Sequence, residues 1–307
     1  MIIISNTLDF ELYKPTAVAI GKFDGVHIGH QRLLREILEK KEIGLDACVM
    51  TFDPSPAVFF GMSDGRELST KEEKRRIFEQ MGVNVLVEFP LTKESAGIDP
   101  EEFVKEILVK RIHAEWIAAG KDISFGNKGK GNEALLRKLA EECNYQVTTI
   151  DKICILDCEV SSSYIKALIE EGKVKEASAF LGTPYTISGT VEHGRKLGRS
   201  LGIPTVNVIP SKDKLMPPNG VYYSKVNFAG ESFSAISNIG CKPTVSDEKV
   251  IGLESYLYDF DRNIYGETVD VQLLEFRRSE SKFDSVEQLK ETMVQDLEAG
   301  RKYHTRE

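Results

Sequence analysis

The chain has 307 residues, of which 41% are hydrophobic, and a formal net charge of −8 at pH 7. This length suffices for two domains of ordinary size. The acidic excess argues against a nucleic-acid partner, which usually binds a basic surface. We find no run of about 18 apolar residues that could span a membrane, and the first residues lack the pattern of a signal peptide. The ligands expected from these properties are small molecules.

The cysteines stand at positions 48, 143, 154, 158 and 241. Their number is odd and no two of them form a Cys-x-x-Cys pair, so the sequence indicates neither a disulfide framework nor a zinc site. Because disulfides persist mainly in oxidising compartments, we expect reduced thiols and a cytoplasmic location.

In the first half of the chain, short apolar runs alternate with amphipathic helices, which predicts βαβ units and a mostly parallel sheet. The predicted strands are 17–20, 47–52, 83–89 and 116–119. The predicted helices are one that begins near Gln31, one that Thr70 caps and Gly82 ends, and one from Phe103 to Ile112. Ligands of such sheets bind at the carboxyl ends of the strands.

The stretch 21–30, Gly-Lys-Phe-Asp-Gly-Val-His-Ile-Gly-His, lies at one such strand end and at the start of a helix. A helix N-terminus presents unpaired backbone N–H groups, and the glycines at 21, 25 and 29 would let phosphate oxygens approach the backbone. His27 and His30, three residues apart, would project toward the same ligand. The histidines could instead cap the helix or bind a metal, but neither a cysteine nor a third histidine lies nearby. The stretch therefore predicts an anion site, although it matches neither a Walker loop nor a dinucleotide fingerprint.

Residues 164–181 are predicted to form one or two short helices, and beyond them the pattern changes to closely spaced strands. The strand-like runs are 187–191, 204–209, 220–228, 233–239, 253–259 and 269–276. Such a series predicts an antiparallel barrel, and we place the domain boundary near Thr183. A last helix is predicted between its cap Ser285 and Gly300, and its apolar stripe consists of Val286, Leu289, Met293 and Leu297.

A second candidate ligand loop lies in the strand-rich half. Its glycines and the basic residues between them are Gly194, Arg195, Lys196, Gly198, Arg199 and Gly202. Such a loop can wrap a polyphosphate, although surface hairpins often have the same composition. It is followed by Pro204-Thr205-Val206-Asn207, in which Thr205 and Asn207 share one face of a strand. Their hydroxyl and amide oxygens are hard donors that suit Mg²⁺ and phosphate.

These two stretches carry a resemblance to known families. The motif Gly-x-Phe-Asp-Gly-Val-His-x-Gly-His at 21–30 is similar to the signature of one branch of the nucleotidyltransferase superfamily, and the glycine-rich loop with Pro-Thr-x-Asn resembles the flavokinase signature. Over roughly residues 14 to 304, the chain resembles the bacterial bifunctional riboflavin kinase / FAD synthetases.

The resemblance implies a fold and two reactions. The fold is a Rossmann-like α/β nucleotidyltransferase domain, residues 1–183, followed by an antiparallel β-barrel, flavokinase-like domain with a C-terminal helix, residues 184–307. The barrel would phosphorylate riboflavin to FMN, and the first domain would adenylylate FMN to FAD. ATP is the donor in both reactions and Mg²⁺ the expected cofactor.

Phosphorylation of riboflavin needs a base, because a primary hydroxyl is a poor nucleophile at neutral pH. By spacing alone, Glu254, Asp259 and Asp261 are equal candidates. The resemblance favours Glu254, which stands where flavokinases carry their catalytic glutamate. By the alternation of a strand, Glu254 shares one face with Tyr256 and Tyr258.

The resemblance also implies the other site residues. In the first domain His27 and His30 would act on the ATP phosphates, and the further ATP-binding residues would be Gly21, Phe23, Asp24, Gly25, Ser161, Ser162 and Ser163. Asp122, Phe125 and Gly126 belong to a loop similar to the family's flavin loop, in which Phe125 would stack on the flavin. In the second domain the ATP-binding residues would be Gly194, Lys196, Gly198, Thr205 and Asn207, of which Thr205 and Asn207 would hold the metal.

The chain departs from the family pattern in the first domain. Ile123 stands where phenylalanine is usual, Ser55 where many relatives have histidine, Glu159 where arginine often precedes the serines, and Lys166 where arginine is usual. Glu159 reverses a charge near an anionic substrate, and Lys166 loses the bidentate fork of arginine. We still expect a working site. Two alternatives stay open: only one half is active, or the chain binds flavin and ATP without turnover.

Overall fold

The computed structural model describes residues 1–155, 157–194, 202–243 and 249–305. The chain divides into two compact units, Met1–Ser162 and Ser163–Glu307. The segment 163–183, which the sequence assigns to the first domain, is grouped with the second unit. The domain boundary near Thr183 stays a prediction. Among the described residues, none of the helices combines the length and the apolar character that crossing a membrane requires.

The first unit is built on a parallel sheet. Its strands are β1 (Ile2–Ser5), β2 (Thr16–Ile20), β3 (Asp46–Asp53), β4 (Val85–Pro90), β5 (Ala114–Gly120) and β6 (Gln146–Ile150). In the described part of this unit the six strands are all parallel, in the order β1-β4-β3-β2-β5-β6. The chain runs from β2 toward one edge of the sheet and returns to β5 on the other side of β2. The carboxyl ends of β2 and β5 therefore flank the switch point, where doubly wound sheets bind their ligands.

Each face of this sheet contributes to a hydrophobic core. In β2, Val18 and Ile20 pack into one core, whereas Ala17 and Ala19 pack into the other. Continuous apolar strands of this kind are typical of parallel sheets that helices cover on both sides. The sequence predicts four of these strands, but not β1, whose Ile2 and Ile3 are exposed, nor the short β6.

Helices of the first unit cover the sheet. They are α1 (Ile28–Glu39), α2 (Pro56–Phe59), α3 (Lys71–Met81), α4 (Pro100–Glu102), a π-helix (Phe103–Arg111) and α5 (Glu133–Ala140). Short 3₁₀ turns lie at Asp24–Val26, Lys40–Ile43, Ser95–Gly97 and Asn127–Gly129. The predicted capping box of Thr70 and Glu73 is present, and Gly82 ends α3 in a left-handed conformation. The predicted helix near 103–112 is a π-helix, because the Ile112 N–H donates to the Ile107 carbonyl five residues back, at 3.0 Å.

The first unit also contains a small hairpin, β7 (Cys154–Ile155) and β8 (Cys158–Glu159). Two helices, α6 (Ser162–Glu170) and α7 (Val174–Leu181), follow it, as residues 164–181 predict. Gly182 ends α7 in a left-handed conformation.

The second unit contains a closed antiparallel barrel, as the sequence predicts. Its strands are β9 (Tyr185–Glu192), β10 (Val206–Val208), β11 (Gly220–Phe228), β12 (Glu231–Pro243), β13 (Lys249–Leu257) and β14 (Thr268–Ser279). Their order around the barrel is β10-β13-β12-β11-β14-β9. The last helix is α8 (Val286–His304). Alternate residues point into the barrel, among them Leu253 and Ser255, which are fully buried.

The prediction that Gly300 ends the last helix is wrong, because α8 continues to His304. The Tyr303 ring stacks on Tyr223 with centroids 4.2 Å apart, and His304 Nε2 lies 3.0 Å from the Ala235 carbonyl. These contacts hold the last turn of the helix on the barrel. Gly300 allows the close approach, since an added Cβ would overlap the Tyr258 hydroxyl.

Candidate active sites

The predicted anion loop joins β2 to α1 at the switch point of the sheet. Phe23 and Gly25 have positive φ angles of 51° and 81°, so the chain turns sharply here. The buried Phe23 ring packs edge-on against Phe78, with centroids 5.6 Å apart, and anchors the loop. Gly21 continues the pairing of β2, because its N–H donates to the Met50 carbonyl at 3.1 Å. These contacts within the first unit hold the loop in its turned conformation.

Asp24 supports this loop. Its carboxylate accepts hydrogen bonds from the Leu68 and Ser69 N–H groups, at 2.7 and 3.4 Å. Asp24 is only 8% exposed, so the described contacts give it a structural task, and its predicted contact with ATP stays a prediction. Sequence reasoning missed this connection because the two segments are more than 40 residues apart.

His27 and His30 lie together at the start of α1. Their rings stack with centroids 3.6 Å apart, and the His30 N–H donates to His27 Nδ1 at 3.3 Å. His27 is thus the N-cap of α1, the capping role that the sequence offered as an alternative. His30 also packs against Phe23, and its Nδ1 atom is buried without a hydrogen-bond partner among the described residues. Capping uses only Nδ1 of His27, so it does not exclude the predicted ligand binding by this pair.

Both imidazole rings are neutral at pH 7. Burial lowers the pKa of His27 to about 4, against a raising effect of the nearby Asp24. Burial also holds the pKa of His30 well below its usual value, and the nearby Lys74 ammonium lowers it further. The pair can therefore offer hydrogen bonds to a phosphate but not a positive charge.

The serine segment reaches the same loop. The Ser162 hydroxyl donates to the Asp24 carbonyl at 2.9 Å, which brings this segment to the anion loop, and its predicted contact with ATP stays a prediction. Ser161 directly precedes it. Ser163 is the next residue of α6 and is grouped with the second unit.

The predicted flavin loop follows β5. Asp122 folds back over Gly120, the last residue of that strand, and forms an ion pair with Lys152 at 3.5 Å. Gly126 has a φ of 67°, and an added Cβ would lie 2.8 Å from the Cα atom of Pro100. This close approach explains the glycine without reference to a ligand.

Phe125 belongs to the hydrophobic core. The side chain is 4% exposed, and its ring lies 5.4 Å from that of Phe103, centroid to centroid. Its predicted role as a stacking surface for flavin stays a prediction that none of the described contacts supports. The apolar surroundings of the motif gave no signal that could separate a core phenylalanine from a ligand-binding one.

In the barrel, three strands bring polar residues side by side. Asn207 of β10 pairs in register with Glu254 of β13, which in turn pairs with Asn238 of β12. Residues directly opposite each other point to the same face of a sheet. The neighbouring Val208 is fully buried in the barrel, so this polar row lies on the outer face, as the predicted alternation requires.

Gly194 lies against this row. An added Cβ would lie 2.5 to 2.6 Å from the side-chain amide of Asn207, so only glycine lets the loop pass here. The Asn207 amide nitrogen also lies 3.4 Å from the Thr205 carbonyl and 3.5 Å from its hydroxyl. The predicted ligands Lys196 and Gly198 lie outside the described residues.

A cavity of about 220 Å³ lies between the barrel wall and α8. Thr205 and Glu254 line it, together with the aromatic rings of Tyr256 and Phe283. The apolar side chains that α8 contributes to its lining are Leu289, Met293 and Leu297. The sequence identifies these three as the apolar stripe of a helix, but only the fold shows that the stripe borders the Glu254 cavity.

An ion-pair cluster fastens α8 above this cavity. Asp296, which is 6% exposed, accepts hydrogen bonds from Arg277 Nε at 2.8 Å and from Arg278 Nη2 at 2.6 Å. Arg277 also donates to the Tyr223 hydroxyl at 3.0 Å. A buried carboxylate with two guanidinium partners is costly to break, so the helix forms a firm wall of the cavity.

The described residues contain no group of three or more His, Cys, Asp or Glu side chains that could hold a metal ion. A metal at Thr205 and Asn207 would therefore depend on oxygen ligands from a nucleotide. Such sharing is usual for Mg²⁺, which binds through one or two protein ligands and substrate phosphates.

Comparisons with known proteins agree with both halves of the molecule. The family model described as FAD synthetase matches residues 10–164, and the one described as riboflavin kinase matches residues 181–304. A bifunctional riboflavin kinase/FMN adenylyltransferase of Listeria monocytogenes is 36% identical over 93% of this chain and 91% of its own length. The proteins with that name from Bacillus subtilis and Escherichia coli K12 are 33% and 32% identical, over 94% and 93% of this chain and 92% of their own lengths.

A solved structure also covers nearly all of the chain. It is described as a macrolide-efflux protein from Streptococcus pneumoniae, is 31% identical, and superimposes with a TM-score of 0.84 over 98% of both chains. The two family matches, the identity to the curated relatives over more than nine-tenths of the chain and the observed fold lead to one assignment. The chain belongs to the family of bifunctional riboflavin kinase/FMN adenylyltransferases.

Proposed function

We propose that the chain catalyses two consecutive reactions, each at its own ATP site. Riboflavin and ATP give FMN and ADP at the barrel, and FMN and ATP give FAD and pyrophosphate in the first unit. The observation that carries this proposal is the separation of two chemically different constellations. The row of Asn207 and Glu254 lies on the outer face of the barrel beside Thr205, whereas the histidine pair lies at the switch point of the parallel sheet.

At the barrel, Glu254 acts as the general base. The carboxylate takes the proton of the terminal ribityl hydroxyl, whose oxygen forms a bond to the γ-phosphorus of ATP while the bond to ADP breaks. The aromatic and apolar lining from Tyr256, Phe283 and Met293 suits the isoalloxazine ring. Its position next to Glu254 in the same cavity supports riboflavin as the acceptor.

Thr205 and Asn207 fit Mg²⁺, since both provide neutral oxygen ligands and lie next to each other, with Gly194 against Asn207. Bound there, the ion would neutralise charge on the phosphates of ATP. In this proposal the residues of the chain orient the nucleotide, and Glu254 handles the proton.

In the first unit no base is needed, because the phosphate of FMN is already ionised. Its oxygen attacks the α-phosphorus of ATP, and pyrophosphate leaves. His27 and His30 act as neutral hydrogen-bond donors to the phosphates, together with backbone N–H groups at the start of α1. The buried and unpartnered Nδ1 atom of His30 supports a ligand at this point.

One assay tests the proposal. The protein is incubated with Mg²⁺ and ATP and with either riboflavin or FMN, and the flavins are separated by chromatography. We expect FMN and then FAD from riboflavin, and FAD from added FMN, with both products lost in EDTA. FMN as the only product would leave a kinase, and FAD from FMN alone would leave an adenylyltransferase. Absence of any product would leave a flavin-binding protein.

A further inference from the structure

Lys152 forms ion pairs with two segments of the first unit that carry predicted site residues. Its ammonium lies 2.6 Å from Glu159 Oε1 and 3.5 Å from Asp122 Oδ2. Asp122 belongs to the loop after β5, and Glu159 belongs to the segment that leads to Ser162. Lys152 therefore joins the loop after β5 to the segment that leads to the anion loop.

Short links tie this lysine to the anion loop. On one side, Asp122 folds over Gly120, the end of β5, which pairs in register with Ile150 two residues before the lysine. On the other side, the Val160 N–H donates to the Ile153 carbonyl at 2.8 Å. Two residues later, the Ser162 hydroxyl donates to the Asp24 carbonyl at 2.9 Å. The lysine is thus within a few residues of the histidine loop along a hydrogen-bonded path.

The charge of the site makes this position consequential. The proposed reaction brings the triphosphate of ATP and the phosphate of FMN together, whereas both histidines are neutral at pH 7. Asp122 and Glu159 add two further negative charges beside Lys152. A cation at this place would offset that charge, and Lys152, whose pKa the hydrogen bond to Glu159 raises, is the ammonium that the structure places there.

Lys152 is also accessible. Its side chain is 50% exposed, so its ion pairs are solvated and cost little to rearrange. An ammonium group has three N–H donors, of which the two carboxylates use two. A phosphate can therefore take the third donor or replace one carboxylate.

We infer that Lys152 is a phosphate-binding residue of the adenylylation site, and that its two carboxylate partners hold the ammonium in place until a substrate arrives. This inference rests on the proposed function of the first unit. The shared chemistry of the ligand is a phosphate ester, which either FMN or ATP can supply. The FMN phosphate and the ATP phosphates are distinguished by which of the two KM values responds.

The test compares four variants in the conversion of FMN to FAD: Lys152→Ala, Lys152→Arg, Glu159→Gln and Lys105→Ala. Lys105 is the matched control, because it is an exposed lysine of the same unit with an equally short ion pair, 2.6 Å to Glu142. Loss of one charge-assisted hydrogen bond predicts that Lys152→Ala raises the KM for FMN or ATP about tenfold. Riboflavin phosphorylation, the thermal midpoint and the Lys105→Ala variant should be unchanged, and Lys152→Arg should retain most of the activity.

Glu159→Gln separates ligand binding from a structural bridge. If Lys152 binds phosphate, removing the competing charge of Glu159 leaves the KM unchanged or lowers it. If the lysine only ties two loops together, Glu159→Gln and Lys152→Ala raise the KM alike, and the inference is overturned. If the wild type makes FAD and Lys152→Ala has the same kinetics, the inference is overturned as well, whereas the proposed function stands. A wild-type chain that makes no FAD overturns the proposed function and this inference with it.

Discussion

The two candidate sites treat charge in opposite ways. The first unit offers two neutral imidazoles whose pKa values burial has lowered. The barrel offers a glutamate in register with an asparagine at the edge of an apolar cavity. The difference follows the nucleophile that each site would activate, since a phosphate is already ionised and an alcohol is not. The presence of a proton-accepting carboxylate therefore distinguishes the site that acts on an alcohol from the site that acts on a phosphate.

The two sites also differ in how their residues are positioned. The histidines lie on a sharply turned loop, which Phe23 and Asp24 anchor through contacts with Phe78 and Leu68. Glu254 and Asn207 sit on paired strands, whose register sets their separation directly. Substitutions should therefore act through loop conformation in the first unit and through local contacts in the second.

Replacing the proposed base tests the proton side of this comparison and has the largest expected effect. We expect Glu254→Gln to reduce FMN formation by about 10²- to 10⁴-fold, the usual contribution of a general base, because the amide cannot accept the hydroxyl proton. The conversion of added FMN to FAD should be unchanged. Asp261→Asn is the control, since spacing alone made Asp261 an equal candidate. Kinase activity that survives Glu254→Gln would remove the chemical contrast between the sites.

The fit between Gly194 and Asn207 tests the positioning side of the comparison. In Gly194→Ala the new Cβ would meet the Asn207 amide at 2.5 to 2.6 Å and displace it. A misplacement of about 1 Å predicts a loss of about a hundredfold in FMN formation. Gly97→Ala serves as the control, because an added Cβ there has no neighbour within 4 Å. Equal rates in the two variants would show that Asn207 is not positioned for the reaction.

The neutral histidines predict that the first unit loses stability at acidic pH. The folded-state pKa of His27, about 4, is below the unfolded value of 6.5. Between these pH values the unfolded chain binds more protons than the folded chain. The contribution of His27 to the free energy of unfolding is therefore fully present above pH 6.5 and is lost as the pH falls toward 4. The expected loss for this residue is about 2 kcal/mol at pH 5.

Urea unfolding of the wild type and of His27→Gln, at pH 7.5 and pH 5, measures this loss. The variant should lose less free energy of unfolding between the two pH values. In the same range, the histidines should contribute no step to the pH profile of FAD formation above pH 5. Identical pH dependence of unfolding in the two proteins would mean that His27 is protonated normally in the folded chain.

Packing of α8 against the barrel gives the smallest expected effect. Gly300→Ala would place a methyl group on the Tyr258 hydroxyl, which donates to the Leu297 carbonyl at 2.7 Å. The free-energy cost of overpacking should exceed the gain from the higher helix propensity of alanine. We expect the free energy of unfolding of the second unit to fall by about 1 kcal/mol. The KM for riboflavin should rise because α8 borders the cavity, whereas FAD formation from FMN should be unaffected. Unchanged riboflavin kinetics would show that the packing of α8 does not affect the substrate site.

Local patterns predict much of the fold. The apolar runs identify β2 to β5, the capping box of Thr70 identifies α3, and alternation along the strands places Asn207 and Glu254 on one face. These features depend on residues close together in the chain. The barrel likewise follows from closely spaced strands, although its closure depends on pairing between β9 and β10 that no local pattern specifies.

The rest depends on contacts between distant segments. The Asp24 carboxylate bonds to residues 68 and 69, Phe125 enters the core, and Gly300 meets a tyrosine of the barrel. The reversed charge of Glu159 looks unfavourable in the sequence, but Lys152 pairs with it. Sequence motifs do not reveal these partners, because the partners are far apart in the chain and meet only in the folded structure.

The most direct test of two independent sites is a mixing experiment. Glu254→Gln should make little FAD from riboflavin because it forms FMN slowly, and His30→Ala should stop at FMN, so neither variant alone makes FAD from riboflavin at the rate of wild type. An equal mixture of the two, with Mg²⁺ and ATP, should restore FAD formation from riboflavin, because FMN made by one variant is a substrate for the other. A mixture that yields no FAD, from variants that are both folded, would contradict the account.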